Sequence, residues 1–369
     1  MKYWRGFLVA FIFAAIAWAL VSFANAHTVL VDMVYPYMTR LVLSSLADWS
    51  GSVSFCVWNV FVLIFIVGLL VSIMLMIILR WNLVQWMGWV LAVVFGFGMF
   101  NTVLFGLNDY TGPLADDVRL EMTHYTVSEL NKVTIYFRDK ANELATQVPR
   151  DGDNNLQFDS FETLATQAGE GFRVLTYDHA ISIFAGSTAP AKPLNASSKE
   201  LSKTIPLTGE VLVNPNIHDI ALPFVICMEM SRRMTIANEN DSKFAAFLTC
   251  LANTSPQFQY SAYCMAYYYC HDALASIPTG TAQACAAQTH NGVNSLMLKD
   301  LTGCLEVFGK PDYSYEDNGD VADMLASWYI QEFVSPLNRE DTKPFDPKDP
   351  TQVDLIYREP TYTPLPENS

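Results

Sequence analysis

PFVICMEMSRRMTIANENDSKFAAF, residues 223–247, is the stretch whose reading decides the fold. Leu222–Met234 reads as a helix: Pro223 falls in its first turn, where a missing N–H costs nothing and the fixed φ suits a helix start. Positions 228 and 232 lie four apart and share one helix face, with Glu229 a turn away from Arg232. A carboxylate set into such an apolar helix is expensive to bury without a partner. The identity of that partner is the question the sequence poses.

Helices that hold a hydrolytic zinc present H-E-x-x-H, because two imidazoles four residues apart converge on the metal while the Glu polarises its bound water. This chain keeps Glu229, but Met228 and Arg232 stand at the two His positions. Methionine is a soft, weak ligand, and arginine has no lone pair to donate. The six histidines (His27, His124, His179, His218, His271, His290) include no pair at helical ligand spacing.

Outward from this helix, Thr208–Val213 alternates as a strand, with Val211 and Val213 on one face and Asn214-Pro215-Asn216 closing it. Val127–Leu144 has helical spacing and ends before Pro149 and the polar run at 151–155. Residues 158–184 read as mixed and helical. Residues 186–200 form a Pro-, Ser- and Ala-rich loop containing the acceptor-like Asn195-Ala196-Ser197. Lys243–Ala252, Tyr260–Ile277 and Asp323–Val334 are further helices. From Asn338 the chain loses periodicity, and a disordered tail is expected.

Three apolar runs near the N-terminus meet the requirement of about 20 residues for a bilayer span: Gly6–Ala24, Val53–Leu79 and Leu83–Leu107. Lys2, Arg5 and Arg80 flank them, and the positive-inside rule makes those ends cytoplasmic. The expected product is a multi-pass protein of the cell membrane with its N-terminus inside and its C-terminal domain extracytoplasmic. Its parts are a transmembrane region at 1–108, a globular domain at 109–337 and a tail at 338–369. Residues 28–50 read as an interfacial helix on the outer leaflet, with Trp49 at headgroup depth. Ala24-Asn25-Ala26 fits a signal-peptidase site, although the long apolar run favours an uncleaved anchor. The spans carry no intramembrane acid or base, which disfavours a transporter or channel.

The formal charge of −15, with most of the 37 acidic residues beyond Asp109, excludes a nucleic-acid partner of the usual basic kind. Cys56 falls in the second apolar run and reads as a packing residue. The six others (Cys227, Cys250, Cys264, Cys270, Cys285, Cys304) lie in the outer domain, where an even number in an oxidising compartment leads one to expect up to three disulfides. Buried free thiols are the competing reading. No C-x-x-C occurs, so a zinc ribbon or thioredoxin-like site is not expected.

Several motifs in order carry a resemblance: K-P-x-x-x-S-x-x-x-L at Lys192–Leu201, P-L-T-G-E-V-x-V-N at Pro206–Asn214, L-P-F at Leu222–Phe224, the Glu229 helix, A-x-E at Ala237–Glu239 and F-x-Y-S-x-Y at Phe258–Tyr263. With the three N-terminal spans, they make the chain resemble the domain-of-unknown-function 3810 family (DUF3810). The resemblance implies a mainly α (α+β) zincin-like outer domain with a degenerate H-E-x-x-H motif. By that likeness the lost zinc-ligand positions are Met228 and Arg232, a following Gly falls on Thr235, and Glu239 (or Asp241) occupies the third ligand position. Tyr260 is a speculative oxyanion donor, with core packing as the simpler reading.

If the metal is gone, Glu229 and Glu239 lose the cation that balanced them. Arg232 is then expected to replace it through bidentate hydrogen bonds. The competing reading has Arg232 and Arg233 facing solvent. The functional expectation is a zincin-like protein that has lost zinc and catalysis, with no cofactor. It would bind a peptide or protein segment, with Thr208–Val213 as the edge strand for strand addition, or support a membrane complex. The alternative is an active membrane-bound zinc metallopeptidase with a site rearranged around His218, His271 and Glu239.

Overall fold

A computed structural model describes residues 4–194, 200–308, 315–334 and 352–353. Helices α1 (Arg5–Ala26), α3 (Val57–Ile78) and α4 (Leu83–Leu104) are each long and apolar enough to cross a membrane. The second and third are shorter than their apolar runs. Val53–Cys56 forms the turn ahead of α3, so Cys56 caps that helix instead of lying within it. The third run ends in a short 3-10 turn at Gly106–Tyr110.

Helices α1 and α4 run parallel in close contact. A Cβ at Gly6 would come within 2.4 Å of the Gly88 carbonyl carbon, and Phe13 packs on Gly96. Small residues allow this approach, which supplies the packing that apolar solvent does not drive. Helix α2 (Thr28–Gly51) follows α1 directly, and its Tyr35 hydroxyl donates to the carbonyls of Thr102 (3.1 Å) and Val103 (2.9 Å) at the end of α4.

One face of α2 packs on the globular part. Leu43 and Ala47 are buried there, and Arg40 donates to the Ile183 carbonyl at 2.9 Å. Its other face leaves Leu30, Met33, Tyr37, Leu41 and Trp49 exposed. By its contacts α2 therefore belongs as much to the globular domain as to the region before residue 108.

The globular core is helical. Helix α6 (Val127–Leu144) opens with a capping box: the Thr126 hydroxyl accepts from the Glu129 N–H, and the Glu129 side chain accepts from the Thr126 N–H. It packs with α9 (Leu222–Arg233), α10 (Glu239–Leu251), α11 (Pro256–Ser276) and α14 (Tyr315–Phe333) around an aromatic centre, where the rings of Phe137, Phe247 and Trp328 meet at 5.0–6.2 Å. Shorter helices α5 (Leu114–Asp117), α7 (Phe161–Gln167) and α8 (Gly169–Tyr177) precede α9. Helices α12 (Gly280–Asn291) and α13 (Ser295–Phe308), which the sequence pattern did not announce, follow α11.

Strands β1 (Tyr125–Thr126), β2 (Lys192–Pro193), β3 (Ser202–Ile205), β4 (Glu210–Val213) and β5 (Gln352–Val353) form two small sheets. The three-stranded one has the order β2-β4-β3, with β2 parallel and β3 antiparallel to β4. This overturns one expectation: the strand in 208–213 is central and wholly buried, and among the described residues β3 is the edge beside α9. In the expected tail, Gln352–Val353 pairs antiparallel with Tyr125–Thr126. The remainder of that tail and Asn195-Ala196-Ser197 lie outside the described residues.

The disulfide expectation is also corrected. All seven cysteines are free thiols; of the six in the globular domain, five are buried and Cys285 is partly so. They fill core space as small apolar groups. Burial raises the thiols of Cys250 and Cys264 well above their ordinary range, and that of Cys304 up to about 12, which makes them poor nucleophiles.

Candidate functional site

Glu229 projects from the middle of α9 toward β3 and is fully buried. Three side chains donate to its carboxylate. Ser202 donates to Oε1 at 2.9 Å, Thr204 donates to Oε2 at 2.8 Å, and Arg232 Nη1 donates to Oε1 at 3.0 Å. The two hydroxyls face α9 because residues 202 and 204 share one face of a strand with period two. Thr204 also donates to the Glu229 carbonyl at 3.1 Å, which stitches the edge strand to the helix.

Arg232 engages Glu229 through one nitrogen and sends Nε to the Ser242 hydroxyl at 3.3 Å, so its contact with the acid is monodentate where a bidentate pair was expected. Glu239 has a different counter-ion. Its Oε1 lies 3.0 Å from Lys243 Nζ, and Lys243 is itself buried and stands 5.8 Å over the Tyr269 ring. Burial pushes the Glu239 carboxyl upward, but Lys243 and then Arg232 outweigh it and hold the group below its usual range. Two cations thus serve the two acids.

The solvent-facing reading of the adjacent arginines fails. Arg233 is fully buried, and its Nη2 donates to the carbonyls of Ser187 (2.7 Å) and Ala189 (2.8 Å). Burial lowers it to about 10 despite Asp48 nearby. Arg232 keeps about a quarter of its side chain exposed. Met228 is half-buried against the core. Thr235, where the resemblance puts a glycine, takes φ +81°, a left-handed conformation that glycine adopts freely and a β-branched residue rarely does.

Tyr260 is placed elsewhere. Its buried hydroxyl donates to Asp300 at 2.6 Å, and Arg150 grips the same carboxylate through both terminal nitrogens at 3.1 and 2.6 Å. That node fastens α13 to the core. His271 contacts the Ala286 carbonyl and the rings of Tyr267 and His290, while His218 Nδ1 accepts from the Ile220 N–H. No group of three His, Cys, Asp or Glu among the described residues is arranged to hold a metal ion.

The zinc that the resemblance implies does not fit these side chains. A guanidinium bonds Glu229 Oε1, neither flanking position supplies a metal ligand, and the two acids are each paired with a cation.

The motif residues that periodicity left unexplained tie the domain to the membrane region. Buried Glu210 on β4 accepts from the N–H groups of Val57 (2.7 Å) and Trp58 (2.8 Å), the Thr208 hydroxyl (2.9 Å) and Lys192 Nζ (2.8 Å). It therefore satisfies the exposed donors at the start of α3. Lys192 also donates to the carbonyls of Ser50 and Phe55, both at 2.8 Å. Gly209, at φ +66°, lets β4 approach α2 so closely that a Cβ there would meet the Ala47 nitrogen at 2.5 Å.

These features define a class: a protein with three helices able to cross a membrane, joined through a buried ion pair to a mainly helical domain with a small sheet. Over residues 31–322 the chain matches the family described as protein of unknown function (DUF3810), and it belongs to that family. No curated protein and no solved structure matches it.

Proposed function

We propose that this protein is a membrane-anchored, zincin-like pseudoenzyme whose metal site has been replaced by an ion-paired one. It would work by holding a peptide or protein segment on the extracytoplasmic side. The observation that carries the reading is the Glu229–Arg232 pair, with the carboxylate further capped by Ser202 and Thr204. A buried acid at the middle of the former catalytic helix survives because a guanidinium neutralises it. Strand β3, the edge beside that acid, is the natural place for an extended segment to add by main-chain hydrogen bonds.

The test is peptidase activity of the full-length protein in detergent against a quenched peptide library. Expected is cleavage no faster than that of Glu229→Gln. Cleavage abolished both by that substitution and by a chelator would overturn the reading in favour of a rearranged metallopeptidase.

A further inference from the structure

Between the start of α2, the 3-10 turn beyond α4, helix α5 and the α9–α10 turn lies a pocket of about 340 Å³. Its charge is one-sided: Asp32, Asp109, Asp117, Asp241 and Asp320 line it, and among the described residues Arg40 is the one cation in that lining. Backbone and amide donors hold some of these acids in place. Gly112 N–H donates to Asp32 at 2.7 Å, Leu114 N–H to Asp241 at 3.1 Å, and the Asn240 amide to Asp320 at 3.1 Å. A separate observation points to a missing occupant. Asn108 lines the same pocket, is 3% exposed, and neither its amide nitrogen nor its amide oxygen has a hydrogen-bond partner. Buried amides are rarely left in that state without a ligand or water to satisfy them.

We infer that this pocket binds an organic ammonium cation, carried either by a phospholipid headgroup or by a free small amine. A bare metal ion suits it poorly, because calcium asks for six to eight converging oxygens, while no three acids here are arranged to hold one ion. An ammonium has three donors directed to different sides, which matches acids spread over five elements and the Asn108 carbonyl oxygen. The Asn108 N–H₂ and the Arg40 guanidinium then serve an acceptor on the same ligand, such as a phosphate or hydroxyl. Asn108 lies four residues past the end of α4, and Met33 and Tyr37 at the pocket are 74% and 66% exposed on the apolar face of α2. That is headgroup level if α4 spans the bilayer.

Asp117 registers this one-sided charge. Burial, then Asp32 and Asp116, with Arg40 opposing, pushes Asp117 up to about 6. A bound ammonium opposes this shift, so its affinity falls as the pH drops through 6 and Asp117 takes up a proton. The site shares no side chain with the Glu229 cluster, and either reading can fail without the other.

The experiment uses the full chain in choline-phospholipid nanodiscs and follows thermal unfolding with added putrescine, or with ethanolamine phospholipid replacing choline lipid. Saturable stabilisation is expected from at least one amine source, with affinity lowered at least tenfold at pH 5 relative to pH 7.5 and in Asp241→Asn. That variant keeps an acceptor for the Leu114 N–H and so retains the local fold. Asp139→Asn, on the exposed face of α6, should bind as the parent does. A response to the ethanolamine lipid alone assigns a headgroup, and one to putrescine assigns a free amine. Silence toward both, equal binding by Asp241→Asn, or stabilisation by calcium chloride where amines have no effect would overturn the inference.

Discussion

Arg232→Ala removes the guanidinium and leaves a fully buried Glu229 with only two hydroxyl donors. At 3.0 Å and an effective dielectric of about 20 the attraction lost is roughly 5 kcal/mol before solvent is counted. Arg232 is a quarter exposed, so water screens the pair and replaces part of it. Breaking a wholly buried pair costs about 3–5 kcal/mol, and about 2–3 kcal/mol is the expected net loss here. Glu229→Gln keeps the shape and an acceptor for one hydroxyl, and with the acid neutral Arg232 is no longer needed at that atom. The double variant should then recover part of the loss, with a coupling of about 1.5 kcal/mol between the two positions. The assay is thermal and urea unfolding of the full-length protein in detergent, with all four forms compared under one condition. An unchanged Arg232→Ala, or a double variant whose cost is the sum of the singles, would refute the charge-replacement reasoning.

Thr235→Gly should stabilise the domain by about 1 kcal/mol, because glycine takes φ +81° without the strain a β-branched residue meets there; a lower melting temperature would contradict this. Asp241 is held at about 6 in the folded chain, against about 3.9 when unfolded. The native state therefore binds the extra proton between those values, and stability falls as pH rises through that window. Asp241→Asn should accordingly raise stability at pH 7.5 by about 1–3 kcal/mol and give little at pH 4; equal gains at both pH values would argue against it. Glu210→Ala strands the buried Lys192 ammonium and the first donors of α3. A cost of about 3–5 kcal/mol is expected, with faster proteolysis in the 52–57 turn, and an unaltered cleavage pattern would show that the joint carries no strain.

Much of the fold was legible because its signals are local. The three spans are long apolar runs, and Val127–Leu144 and the Pro223 helix follow from spacing and from where proline is tolerated. Helix α12 was not legible: Gly280–Asn291 is Ala-rich, with no marked apolar face. The strand in 208–213 was found, but its place at the centre of the sheet was not, because pairing order depends on β3, whose SKTI sequence lacks a clear apolar alternation. At the site, Arg232 was readable from its spacing to Glu229. Ser202, Thr204 and the Lys243–Glu239 pair were not fully so. The two hydroxyls reach Glu229 only through the sheet, and the i, i+4 spacing of Glu239 and Lys243 marks an ordinary helical ion pair until burial of the lysine is known. The even cysteine count misled, since buried thiols and paired ones leave the same trace in a sequence.

The account rests on cations having taken the place of a metal. Zinc content by elemental analysis of the full-length protein, purified without chelators, measures this directly, with a Met228→His/Arg232→His variant prepared alongside. Far less than one zinc per chain is expected in the parent and a gain in the variant, where Glu239 would supply the third ligand that the resemblance implies. One zinc per chain in the parent would contradict the account.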